Sequence, residues 1–165
     1  MSLILSGNSG SMTVDSTAGV TFPNGTNPQA APSKVLQVVQ FSTNSQFSTT
    51  SGSPVSSGFS ASITPLFSTS KILILMNFNA GISVSGANNN FFIYRNTTPT
   101  GYRLTAGYVQ ATAFLGTSAA LCYLDSPATT SSTTYNLYVG ADSGTAYVRG
   151  DPYSYTTITL LEIAQ

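Results

Sequence analysis

Apolar and small polar residues alternate one by one from Gly58 to Thr64. Phe59, Ala61 and Ile63 fall on one side, and Gly58, Ser60, Ser62 and Thr64 on the other. A period of two marks a strand with one buried and one wet face. Three other stretches depart from it. In "KILILMNFNA" (71–80), Ile72, Ile74, Met76 and Phe78 form one side, while Leu73 and Leu75 make half of the opposite side apolar too. "KVLQVVQF" (34–41) sets Val35, Val39 and Phe41 against Leu36 and Val38, and "TITLLEIA" (157–164) sets Ile158 and Leu160 against Leu161 and Ile163. In an antiparallel sandwich one face of each sheet meets the core, so an apolar second face needs a cover. The protein's own loops or neighbouring subunits supply it. Val35, Leu36, Val38, Leu73, Leu75, Leu161 and Ile163 are therefore expected in the core or at a subunit interface.

Further strands are expected at 91–95, 119–125, 133–141 and 145–150, with weaker candidates at 46–50, 102–105 and 112–115. The "ADSG" between 133–141 and 145–150 reads as a hairpin turn. No window combines helical spacing with good helix formers. The pattern predicts an all-β chain, an antiparallel β-sandwich or jelly roll of about eight to ten short strands over 34–165. Residues 1–33 differ. Pro23, Asn24–Gly25, Asn27–Pro28 and Pro32 crowd the approach to the first long strand, and sizeable apolar groups come only at intervals. This stretch is expected to be an extended N-terminal arm. Leu3, Ile4, Leu5, Met12, Val14, Val20 and Phe22 could lie on another protein and add strands to its exposed edges. They could equally add strands to their own domain or to that of a neighbouring copy. The prolines would stiffen the junction in either case.

Charge changes the picture most. The chain has 165 residues, room for one domain with a real core, and only 6% of them are charged, five basic and five acidic. Ordinary soluble domains carry about 25%. A surface wetted by Ser, Thr and Asn has little long-range field, so neither nucleic acid nor an anionic membrane is an expected partner. Near-zero net charge also favours association. The longest apolar run, 119–124, is six residues, far below the ~18 of a membrane span, and the first ten residues lack the pattern of a secretory signal.

Candidate chemistry is sparse. With no His and one Cys in the chain, the commonest general base and the usual zinc sets are missing, and neither metal nor cofactor is expected. Nothing in the spacing of Asp125, Asp142, Asp151 and Glu162 singles out a carboxylate pair for glycoside cleavage. Asp142 ("ADSG") and Asp151 ("GDP") read as turn residues that bond their own backbone, and Cys122, in "ALCYLD", as a small buried hydrophobe. The one cluster with a binding flavour is "FFIYRNTTPTGYRL". Tyr94–Arg95 and Tyr102–Arg103 flank a Pro/Gly loop, and Tyr and Arg are the residues interface hot spots use. Their alternative role is to cover their own sheet.

Two stretches carry a family resemblance. "AGVTFPNGTNPQAAPSKVLQVVQF" resembles the segment that precedes a C-terminal β module in bacteriophage virion proteins, especially those of cyanophages and marine phages. "YLDSPATTSSTTYNLYV…DSGTAYVRG…SYTTITLLEIAQ" resembles the end of that module. The phrasing recurs in tail-fibre and head-decoration proteins alike. It implies a homotrimeric, non-enzymatic protein of the virion surface. About thirty residues precede the module here, too few for a fibre shaft and enough for an arm. The expectation is a capsid decoration (cement) protein whose arm anchors on the major capsid protein or another virion protein and whose β domain trimerises on the outer surface. The alternative is a receptor-binding tip or short tail fibre that touches host glycan through Tyr94, Arg95, Tyr102 and Arg103.

Overall fold

A computed structural model describes residues 34–84, 86–106 and 115–165, and these form ten strands with no helix among them. The strands are β1 (Val35–Thr43), β2 (Phe47–Thr49), β3 (Val55–Ile63), β4 (Lys71–Ile82), β5 (Asn89–Arg95), β6 (Thr98–Ala106), β7 (Leu115–Asp125), β8 (Thr133–Ala141), β9 (Ala146–Arg149) and β10 (Thr156–Ile163). All pair antiparallel. One sheet runs β1-β10-β4-β7, with β9 and β2 alongside the far half of β4; the other runs β3-β8-β5-β6. Strands that follow one another in the chain mostly change sheets, which is the winding of a double-sheet jelly roll.

The alternation seen in the sequence explains the core. Ile72, Ile74, Met76, Phe78, Ala80 and Ile82 of β4 all point inward and are buried. They meet Phe91 and Ile93 of β5 and Tyr135, Leu137 and Val139 of β8 from the opposite sheet. The Phe78 and Phe91 rings touch across the gap, centroids 4.6 Å apart and tilted by 55°, a favourable edge-on geometry. Phe59, Ala61 and Ile63 of β3 close one flank. β3 reaches this position through a bulge between Ser56 and Ser60. Gly58 takes φ +78° there, and the Ser57 hydroxyl donates to the Leu137 carbonyl at 2.7 Å in place of the lost ladder bond. A side chain at Gly58 would be strained.

Three expectations are corrected. The "ADSG" segment does not close a hairpin, because β8 and β9 lie in different sheets. It carries the chain across the sandwich, and the Asp142 carboxylate accepts from the Asn88 and Asn90 side chains at 2.9 and 2.6 Å instead of bonding its own turn. Cys122 is exposed rather than buried: its register partner is Leu75, on the outer face, while its neighbour Leu121 points inward. In β1 a register shift between Val35 and Gln37 turns Val35 away from Val39 and Phe41. Val39 and Phe41 pack on the core, and Val35, like Val38, is exposed.

Candidate functional site

The outer face of the β1-β10-β4-β7 sheet has two ends of opposite character, and the register says why. Val38 pairs with Leu161, Leu161 with Leu73, and Leu73 with Leu124. One apolar residue from each of four strands thus forms an unbroken row. Val38 is 58% exposed and Leu124 48%, with Leu73 and Leu161 half-buried between them. On one side of this row lie Val35 and Ile163, and on the other Leu75 opposite Cys122. Leu36 sits half-buried at the β1 irregularity. The loop between β3 and β4 carries Leu66 and Phe67, both more than half exposed, at the end of the sandwich rather than on this outer face. It is held there by Glu162, which faces the core side of β10 with Ile158 and Leu160 and whose carboxylate accepts from the Leu66 backbone N–H at 2.8 Å and from the Gln37 amide at 2.6 Å. Burial works against the charge of Glu162. The nearby Ser70 hydroxyl, Gln37 and the Leu66 and Phe67 N–H groups outweigh it and hold the carboxyl below its usual range.

The Tyr/Arg hairpin is built differently from the expectation. Arg95 pairs with Thr98, so only Asn96 and Thr97 form the turn, and Asn96 takes φ 53° to allow it. Pro99 and Gly101 fall inside β6, and the four residues split between two faces. Tyr94 lies on the outer face of the β3-β8-β5-β6 sheet, stacked on Tyr138 with centroids 3.8 Å apart and planes 11° off parallel. Arg103 is on the same face, opposite Phe92, its Nε donating to the Thr105 hydroxyl at 3.0 Å. Tyr102 instead packs on the core and against Tyr123, centroids 5.4 Å apart. Arg95 donates to the carboxylate of buried Asp125 at 3.0 Å, and the fully buried Tyr135 hydroxyl donates to the same oxygen at 2.7 Å. Burial first, then this hydrogen bond, pushes the Tyr135 phenol well above its ordinary pKa. Arg95 and Tyr102 therefore hold the fold, and only Tyr94 and Arg103 share a surface.

A groove lies at the other end of the first sheet's outer face, and a break in strand pairing creates it. Lys71–Asn77 of β4 pair with β10, and Asn79–Ile82 pair with β9. Between the two partners the chain leaves the sheet at Gly150 and returns at Thr156. Gly150 is required at the exit, where a Cβ would run into the Asn44 carbonyl and the Ser45 backbone. Asp151 then fixes the excursion: its carboxylate accepts from the Tyr153 N–H at 2.8 Å and its carbonyl from the Ser154 N–H at 3.2 Å. The Tyr153 N–H, and then Ser154, hold the Asp151 carboxyl below its ordinary pKa. Asn77, Asn79, Ser118 and Ala120 line the resulting groove of about 380 Å³ together with Tyr153 and Tyr155. It continues past Ser118 into a second hollow of about 210 Å³ beside Thr117, Arg149 and Asp151. Tyr153 is 94% exposed and Tyr155 55%. Hydrophobic alternation singles out neither tyrosine, although "DPYSY" sets them on a Pro-containing turn between two strands.

Leu3, Ile4, Leu5, Met12, Val14, Val20 and Phe22 lie outside the described residues. No group of three or more His, Cys, Asp or Glu side chains placed to hold a metal occurs among the described residues.

No family model matches the sequence, and no curated protein matches it either. Among solved structures, the chain is similar to that of the infectious bursal disease virus VP2 subviral particle, with 15% identity and a TM-score of 0.45 over 78% of this chain and 41% of that one. The infectious bursal disease virus Gx strain structure gives 16% identity and a TM-score of 0.45 over 76% and 40%. Infectious Bursal Virus Derived T=1 Particles give 15% identity and a TM-score of 0.45 over 76% and 39%. The chain spans about two-fifths of the length of these solved chains.

Proposed function

We propose that this chain is a non-enzymatic structural protein of a virion, a capsid decoration protein that works by association. Its β domain contacts further copies through the apolar end of the β1-β10-β4-β7 sheet, in a homotrimer, and residues 1–33 anchor it to the capsid. The observation that carries this reading is the row Val38–Leu161–Leu73–Leu124, left uncovered by the described residues. Exposed apolar patches of this kind mark interaction sites. The charge-poor composition and the phage-like phrasing of the sequence support the same reading.

The magnitude fits a multi-contact assembly better than a lone pair. Val35, Val38 and Leu124 are each about 40–60% exposed. Full burial of such a side chain is worth about 1.5–3 kcal/mol, so the remaining half contributes about 1 kcal/mol each and about 3 kcal/mol per face. Association costs about 4–15 kcal/mol in lost freedom. One such face falls short of that, whereas a closed ring seated on a particle makes several contacts for one association. The test is decoration of purified capsids that lack the protein. The full chain is expected to decorate them, and a chain without residues 1–22 is expected to fold and leave them bare. Full occupancy by the truncated chain would refute anchoring by the arm. Copy number separates this reading from a tail tip: hundreds of chains per particle against a few dozen.

A further inference from the structure

We propose that the groove beside the β9–β10 excursion binds a neutral oligosaccharide, a function separate from the association described above. The two lie at opposite ends of one sheet face: Leu73 marks the apolar end, and Asn77 and Asn79 floor the groove.

Three observations carry the inference. The first is the state of the tyrosines. Tyr153 stands 94% in water and Tyr155 more than half so, and neither ring stacks on another aromatic or hydrogen-bonds a described residue through its hydroxyl. Yet the backbone beneath them is pinned by Asp151 at 2.8 and 3.2 Å and by the close approach of Gly150 to the 44–45 backbone. A rigidly presented Tyr offers a large contact area at low entropic cost. The second is the floor. The Asn77 side chain is exposed and makes no hydrogen bond to a described residue, and the Ser118 hydroxyl and the Asn79 side-chain amide, 3.2 Å apart, bond only each other. These are neutral groups that both donate and accept. The third is charge. Among the described residues, Arg149 and Asp151 are the only charged groups lining either hollow, and their charges cancel.

A saccharide matches this set. The C–H face of a pyranose ring is apolar and carries slight positive charge, which suits the negative face of an aromatic ring. Its hydroxyl rim donates and accepts equally, which suits amides and hydroxyls and gains nothing from a net charge. A peptide strand would need an open sheet edge; β4 on the floor has both edges paired along the groove except at Phe78, which leaves a peptide only the outer edge of β7 among the described residues. An anionic ligand would need excess positive charge. The open trough has room for a few sugar units along the Tyr155–Asp151 direction.

The experiment uses the full chain and an array of neutral oligosaccharides built from glucose, galactose, mannose, rhamnose and N-acetylhexosamines, with polygalacturonate and heparin as anionic comparators. Hits are titrated by calorimetry. At least one neutral oligosaccharide is expected to bind, and Tyr153→Ala and Tyr155→Ala are each expected to weaken it about tenfold or more, as for hot-spot aromatics. Tyr153→Phe is expected to stay within about threefold, since stacking needs the ring and not the hydroxyl. Thermal unfolding should not move for Tyr153→Ala, and a second variant, Asn77→Ala, reports on the floor independently of the turn. Absence of binding by every neutral glycan, binding of the anionic comparators alone, or binding that survives the Tyr153→Ala/Tyr155→Ala double change would each overturn the proposal.

Discussion

Replacing Asp125 by Ala tests whether the cluster it forms with Arg95 and Tyr135 holds the two sheets together. Asp125 ends β7 in one sheet, and Arg95 and Tyr135 come from β5 and β8 in the other. The Tyr135 ring is fully buried and its hydroxyl donates to Asp125 at 2.7 Å. A hydrogen bond to a charged group contributes about 1.5–3 kcal/mol, and a buried hydroxyl left unpaired costs a similar amount, so the hydroxyl alone accounts for about 2 kcal/mol. The Arg95 side chain is 35% exposed, so its ion pair is screened and is taken as about 1 kcal/mol. Asp125→Ala should therefore destabilise the domain by about 3 kcal/mol, a fall in Tm of about 10 °C for this size. Arg95→Ala should lose about 1 kcal/mol and Tyr135→Phe about 1–2 kcal/mol, with less than additive loss in pairs because all three share one carboxylate. Urea unfolding followed by far-ultraviolet circular dichroism reads these values from the midpoint at constant slope. If Asp125→Ala costs less than about 1 kcal/mol, or if Arg95→Ala leaves the midpoint unmoved, the cluster is not a clasp and Arg95 must be explained as a surface group.

Other predictions follow the same geometry. The carboxyl of Glu162 is held below its ordinary pKa in the folded state, so the unfolded chain takes up the proton first. Its contribution to stability is present above the ordinary carboxylate value and lost as pH falls through the lowered one. Glu162→Gln should flatten the acid limb of a stability–pH profile, and an unchanged limb would refute the assignment. Gly150→Ala should destabilise the domain and distort the groove, since the added methyl meets the Asn44 carbonyl; a crystal structure of the variant with the 150–155 segment unmoved would contradict this. Cys122 is exposed, so a maleimide should label the folded monomer, and assembly should protect it if the neighbouring apolar face is covered.

Much of the architecture could be read from alternation alone. The inward sets Ile72/Ile74/Met76/Phe78 and Phe59/Ala61/Ile63 are buried as their period of two requires, and the strands expected at 71–80, 91–95 and 133–141 form at those places. The misreadings have specific physical causes. Residue type alone puts Cys122 inside, but its facing depends on register with Leu75, which no local pattern fixes. Val35 was placed with Val39 because a strict period admits no bulge, and β1 contains one. The Tyr94–Arg103 cluster converges only if residues 96–101 form a loop, and instead Asn96 and Thr97 make a two-residue turn. The groove was invisible for a different reason. It arises where β4 exchanges one strand partner for another, a long-range event that leaves only the turn chemistry of "GDPYSY" in the sequence.

The central claim is that the uncovered row across β1, β10, β4 and β7 exists to meet other copies. Sedimentation velocity of the full chain, alone and with Leu73→Lys and Leu124→Lys together, tests it most directly. The account predicts a species larger than the monomer for the parent chain and a folded monomer for the variant, with an unchanged circular dichroism spectrum. A parent chain that sediments as a monomer at every concentration, or a variant that assembles as well as the parent, would contradict it.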